Sequence, residues 1–156
     1  MSTYSNSKRV KVLGVNIDDI SKEEGLAIVE NWLSKQSSSK LIFTPGPEFL
    51  VTAQTDTDFK KILNAADLNL PDGYGLKIFG NITNIIPGVD FMLVLCKLAS
   101  QKGYTVGLLG GQTRVTTLTA EKLKEKFPGI KIVFAIGGTE ADKVINNTDT
   151  LRYSDI

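Results

Sequence analysis

Two hydrophobic rhythms alternate along this chain: short apolar runs of strand length, and longer segments whose apolar residues recur on one side of a helix. Val10 to Val15 predicts a first strand. Ser21 followed by Glu24 is a capping box, after which Leu26, Val29 and Leu33 line one side of a helix ending near Lys35. Leu41 to Phe43 predicts a second strand, and Pro47 suits the first turn of a helix running to about Gln54. Phe59, Ile62, Leu63 and Ala66 form a one-sided helical stripe. Leu68 to Leu70 is a short strand delivering Asp72, and Tyr74 to Phe79 adds one or two helical turns. Val89 to Gln101 predicts an apolar helix closed by Gly103, and Tyr104 to Leu109 a further strand. Val115, Leu118, Leu123 and Phe127 make a broad helical face that stops at Pro128-Gly129. Ile130 to Ile136 is another strand, and Thr139 with Asp142 opens a last short helix. Strands alternating with helices imply an α/β fold, a mostly parallel sheet with helices on both faces.

The chain has 156 residues, enough for one compact domain with a sizeable core. Residues 1–7 read as a disordered tail and residues 8–156 as a single domain. Ser37 to Ser39 read as a loop. A net charge of +1 argues against a nucleic-acid partner, which calls for a basic excess. The absence of histidine excludes a Ser-His triad and a His-based metal site. Cys96 lies in an apolar run, and a buried free thiol fits a reducing cytoplasm. No apolar stretch approaches the ~20 residues of a membrane span.

Polar residues just past strand ends are where α/β proteins keep their chemistry, and Thr44 and Asp72 occupy such positions. Asp72 stands between Pro71 and Gly73, so a turn aims its carboxylate. Gly110-Gly111-Gln112 lies where a strand turns into a helix. Backbone N–H groups there can approach a phosphate, although strand-to-helix turns also use glycine for geometry alone. Asp56-Thr57-Asp58 is better explained as the first turn of a helix than as a metal site, and Asp18-Asp19 likewise as a helix start. Asp90 either complements a helix dipole or accepts hydrogen bonds from sugar hydroxyls.

Seven segments follow one another along the chain: G-V-x-I-D (Gly14 to Asp18), T-P-x-x-E (Thr44 to Glu48), A-Q-x-D-x-x-F (Ala53 to Phe59), L-P-D-G-x-G (Leu70 to Gly75), P-G-x-D (Pro87 to Asp90), L-L-G-G, and F-P-G-I-K-I-V. In this series the chain resembles the WecG/TagA/CpsF family of bacterial glycosyltransferases. The resemblance implies a Rossmann-like sheet and an inverting transfer that uses neither metal nor cofactor. N-acetylmannosamine, or its uronic acid, would move from a UDP-sugar to N-acetylglucosamine on undecaprenyl diphosphate, for teichoic acid or cell-surface polysaccharide. The setting would be cytoplasmic, at the inner membrane face.

Asp72 corresponds to the general base, with Thr44 beside it. Glu48, Gly73, Gly88 and Asp90 fall in the matched motifs as substrate-binding candidates, and Gly110, Gly111 and Gln112 are candidates for nucleotide contact. Two positions depart from the family pattern: Gly46 stands where Asn is usual, and Ile85 where Arg is usual. Asp155-Ile156 reads as the start of a further strand, so the domain is expected to be incomplete at its C-terminus. Alternatives are a non-catalytic sugar-nucleotide-binding module, and a subunit whose open sheet edge pairs with another chain, including a homo-oligomer.

Overall fold

The computed structural model describes residues 8–35 and 38–138. The predicted tail, Ser37, the helix opened by Thr139 and Asp155-Ile156 lie outside the described residues. The chain divides into two compact units, one up to Met92 and one from Leu93.

The first unit begins with an antiparallel hairpin of β1 (Arg9–Val12) and β2 (Val15–Asp18). The apolar run from Val10 predicts one strand here, and the structure corrects this. Leu13 and Gly14 form a two-residue turn with φ of 49° and 80°. Positive φ at both central residues is the geometry that matches the twist of a tight hairpin. Leucine at the first of them gives no Asn-Gly or Asp-Gly signature.

Ser21 caps α1 (Lys22–Ser34) through the expected capping box. β3 (Ile42–Phe43) leads into α2 (Pro47–Thr55). Asp56 then caps α3 (Thr57–Asn64) by accepting the Phe59 N–H at 2.8 Å, which accounts for the D-x-D triplet. β4 (Leu68–Asn69) pairs in parallel with β3, and α4 (Gly75–Phe79) follows. Val15, Ile17, Leu50, Ala53, Leu63, Leu76 and Ile82 form the buried core of this unit.

α5 (Gly88–Lys102) starts in the first unit, and its remainder belongs to the second. There β5 (Thr105–Leu109) and β6 (Lys131–Ile136) pair in parallel, connected through α6 (Thr113–Lys126). The expected broad apolar face of α6 is narrower. Thr116, Ala120 and Leu123 are buried, whereas Val115 and Leu118 are exposed. Cys96 is buried, and burial pushes its thiol up. The fold is α/β with parallel strand pairs and helices, as expected. Among the described residues the strands form three two-stranded sheets. No described helix is long and apolar enough to cross a membrane.

Asp18 and Asp19 do not start a helix. Asp18, at 1% exposure, takes a two-pronged bond from Arg9 (2.7 and 2.9 Å) and accepts the Asn69 N–H at 2.7 Å. A buried carboxylate deprived of its partner is costly, and the partial exposure of Arg9 moderates that cost through water. Arg9→Ala is expected to lower unfolding free energy in urea by roughly 2–4 kcal/mol. Lys61→Ala, which breaks an exposed pair with Asp58, changes it by less than about 0.5 kcal/mol.

Candidate functional site

The parallel strands β3 and β4 end side by side, each continued by a fully buried proline, Pro45 and Pro71. Proline has no N–H to donate, so the pairing is carried past the strands by the residues between. Leu70 N–H donates to the Phe43 carbonyl at 2.8 Å, and Asp72 N–H to the Pro45 carbonyl at 3.1 Å. Asp72 therefore stands at the C-terminal edge of a parallel pair, where open α/β sheets hold their ligands. Gly73 follows with φ of 100°, a turn conformation that glycine alone adopts without strain.

Facing Asp72 is the beginning of α5. Gly88 N–H donates to Asp72 Oδ2 at 2.9 Å, which orients the half-buried carboxylate and places it at the positive end of a helix. Asp72 Oδ1 has no hydrogen-bond partner among the described residues. A Cβ at position 88 would lie 2.6 Å from Thr44 Oγ1, so this close approach requires glycine. Thr44 and Asp72 thus meet against one residue.

Gly88 is brought there by the loop after α4. Ile86 N–H donates to the Pro71 carbonyl at 2.8 Å. Upstream, Asp19 Oδ1 accepts from Thr83 N–H (3.0 Å), Asn84 N–H (2.8 Å) and Asn84 Nδ2 (3.1 Å), while Lys8 donates to Oδ2 at 3.1 Å. Burial alone would push the Asp19 carboxyl up. The Asn84 and Thr83 N–H groups, Lys8 and the Asn84 amide outweigh it and hold the carboxyl at about 2. Asp19 is a positioning residue that the pattern of charges along the chain did not reveal.

The family model for the glycosyl transferase WecG/TagA/CpsF family matches residues 10–150. The chain belongs to this family. Among curated relatives, the N-acetylglucosaminyldiphosphoundecaprenol N-acetyl-beta-D-mannosaminyltransferase of Staphylococcus aureus strain NCTC 8325 is 26% identical over 132 residues, covering 81% of this chain and 52% of the relative. The protein of the same name from strain MRSA252 matches at the same identity and coverage. The chain spans about half the length of these relatives.

The two positions at which the resemblance leads to an Asn and an Arg, Gly46 and Ile85, have these surroundings. Gly46 is the N-cap of α2 and offers no side-chain cap. The Glu48 carboxylate folds back over it, 2.5 Å from where a Cβ would stand. Ile85 is partly buried and packs against the apolar core. Asp90 is exposed in the first turn of α5.

In the second unit, Gly110 and Gly111 have φ of 106° and 71°. Gly110 N–H donates to the Ile136 carbonyl at 2.9 Å, and Thr116 Oγ1 donates to the Gly110 carbonyl at 2.6 Å. Gln112 is the N-cap of α6 without a side-chain cap bond, leaving that helix end to backbone N–H groups.

The Asp19 clamp has a pH signature. Its carboxyl titrates lower in the folded chain than its ordinary 3.8, so its contribution is fully present above about pH 4 and disappears as the pH falls through about 2. That contribution is expected to be roughly 2–3 kcal/mol at neutral pH. Urea unfolding of Asp19→Ala should show a smaller loss of stability between about pH 5 and pH 2.5 than the native chain shows. At Gly88, the Ala variant is expected to lose about 1–3 kcal/mol through overpacking. A double-mutant cycle with Thr44→Ala, which clears the obstructing hydroxyl, should recover part of that loss.

Proposed function

We propose that this chain carries the acid–base half of an inverting sugar transfer. The donor is UDP-N-acetylmannosamine or the corresponding uronic acid. The acceptor is N-acetylglucosamine linked through a diphosphate to undecaprenol at the cytoplasmic membrane face. Asp72 Oδ1 removes the proton from the acceptor hydroxyl as that oxygen bonds to the anomeric carbon of the donor. The bond from that carbon to the UDP oxygen breaks on the opposite side, and UDP leaves with the electron pair. Thr44 Oγ1 orients the hydroxyl or the sugar beside it. In the second unit, the turn of Gly110, Gly111 and Gln112 at the N-terminus of α6 is the candidate for nucleotide contact, through backbone N–H groups. Glu48, Gly73, Gly88 and Asp90 contribute substrate contacts or hold those that do.

The observation that supports this most is the division of labour at one carboxylate. At a parallel strand end, one oxygen is fixed by Gly88 N–H, whose residue also meets the Thr44 hydroxyl, and the other has no partner among the described residues. A fixed carboxylate with one oxygen available is what proton removal needs. Release of UDP from UDP-N-acetylmannosamine with the lipid-linked acceptor tests the assignment. Asp72→Asn is expected to lower kcat by about 10²–10⁴-fold with little change in UDP affinity. Unchanged turnover in that variant would refute the base. UDP binding by the native chain without any turnover would favour a sugar-nucleotide-binding module instead.

A further inference from the structure

On the first unit, an open groove of about 500 Å³ lies between the hairpin, α2 and α4, lined by Lys11, Leu13, Pro47, Val51, Leu76 and Phe79 among others. Its size is that of a small-ligand site, for which ~300–1,000 Å³ is usual. The walls are apolar, and much of that apolar surface is open to solvent. Leu13 is 54% exposed, Val51 63% and Phe79 85%, and Tyr74 and Ile78 extend the patch along α4. Among the lining residues there is no acid. Lys11 in the wall and Lys77 on α4 have no ion-pair partner among the described residues.

The groove is joined to the candidate site by covalent and packing contacts. Pro47 lines it and packs beneath the turn after Asp72. A Cβ at Gly73 would lie 3.2 Å from the Pro47 ring, and one at Gly75 2.7 Å. Gly75, itself in the groove wall, is three residues beyond Asp72, so their Cα atoms are at most ~11 Å apart. A sugar diphosphate spans a gap of that order. An amphiphile with an anionic head and a hydrocarbon tail is the chemistry that matches the Lys11 ammonium in the wall of an apolar trough.

We propose that this groove holds the first isoprene units of the lipid-linked acceptor, with its diphosphate beside Lys11 and its sugar directed to Asp72. The proposal rests on the transferase reading for the identity of the acceptor. It adds the place where the chain grips the tail, and it assigns acceptor selection to the hairpin turn and α2.

The test uses the native chain and farnesyl diphosphate as a soluble probe, followed by calorimetry against inorganic diphosphate. Farnesyl diphosphate is expected to bind at least about ten-fold more tightly than inorganic diphosphate, because only it carries methylenes to bury. Leu13→Asp and Val51→Asp should each remove that advantage with unaltered circular dichroism and melting. Both positions are exposed, and position 13 has the positive φ that aspartate tolerates. Lys11→Glu should weaken the probe further, and Ile62→Asp, an exposed site outside the groove, should leave binding unchanged. Absence of binding, equal affinity for the two diphosphates, or full binding by both groove variants would overturn the proposal. So would groove variants that alter only sedimentation, which would assign the surface to a second copy of the chain. UDP release measured on the same variants separates the two readings. Unchanged turnover in Asp72→Asn refutes the base and leaves groove-dependent binding standing. Native farnesyl diphosphate binding in both Leu13→Asp and Val51→Asp refutes the groove and leaves Asp72 untouched.

Discussion

Two neighbouring carboxylates at the end of β2 hold the first unit in register with its own site. Successive residues of an extended strand point to opposite sides, and here each side carries a different attachment. Asp18 reaches the backbone of β4 through Asn69 N–H, with Arg9 balancing its charge. Asp19 reaches the loop after α4 through three N–H donors. β4 leads to Asp72, and the loop leads to Gly88. The hydrogen bond between Asp72 and Gly88 is therefore the closing contact of a ring whose other side is the dipeptide Asp18-Asp19. Buried carboxylates with several charge-assisted partners are stiff anchors, because every lost bond leaves a desolvated charge.

This arrangement explains how a short parallel pair supports a defined site. β3 and β4 have two residues each, too little ladder to fix a side chain alone. A buried proline follows two residues beyond the end of each strand. Stiffness comes instead from side chains that bond to backbone. Asn69 donates to the carbonyls of Asn16 and Leu63, and Asn64 bonds across to the hairpin at Asn16 and Gly14. Asn69 Oδ1 is buried without a hydrogen-bond partner among the described residues, a cost carried at the strand that delivers Asp72.

Much of this was legible in the order of residues. The capping box at Ser21, the Pro47 helix start, the Asp56 cap and the turn around Asp72 are local signals, and local signals survive folding. Thr44 and Asp72 were placed at strand ends by the apolar runs before them, and the structure brings both against Gly88. What could not be read is what depends on partners far along the chain. The hairpin was missed because Leu13 adopts positive φ without a characteristic turn dipeptide. Asp18 and Asp19 look like a helix start because nothing near them in sequence hints at Asn69, Thr83 or Asn84. The face of α6 was drawn too wide because periodicity cannot tell a buried leucine from an exposed one when the neighbouring layer is narrow.

Gly46 and Ile85, where the resemblance leads to an Asn and an Arg, show why a motif has to be judged in its packing. With Ile85 packed against the core, that position supplies no guanidinium to a diphosphate in this chain. Gly46 removes a side-chain cap from α2, and the Glu48 carboxylate occupies the space a side chain would have used. Neither change touches the contact between Asp72 and Gly88 or the clamp at Asp19. The hydrogen bonds that hold Asp72 are therefore independent of the two positions where the resemblance leads to an Asn and an Arg. A chain can retain the geometry around Asp72 while its other contacts change, because the two sets of residues share no hydrogen bond among the described residues.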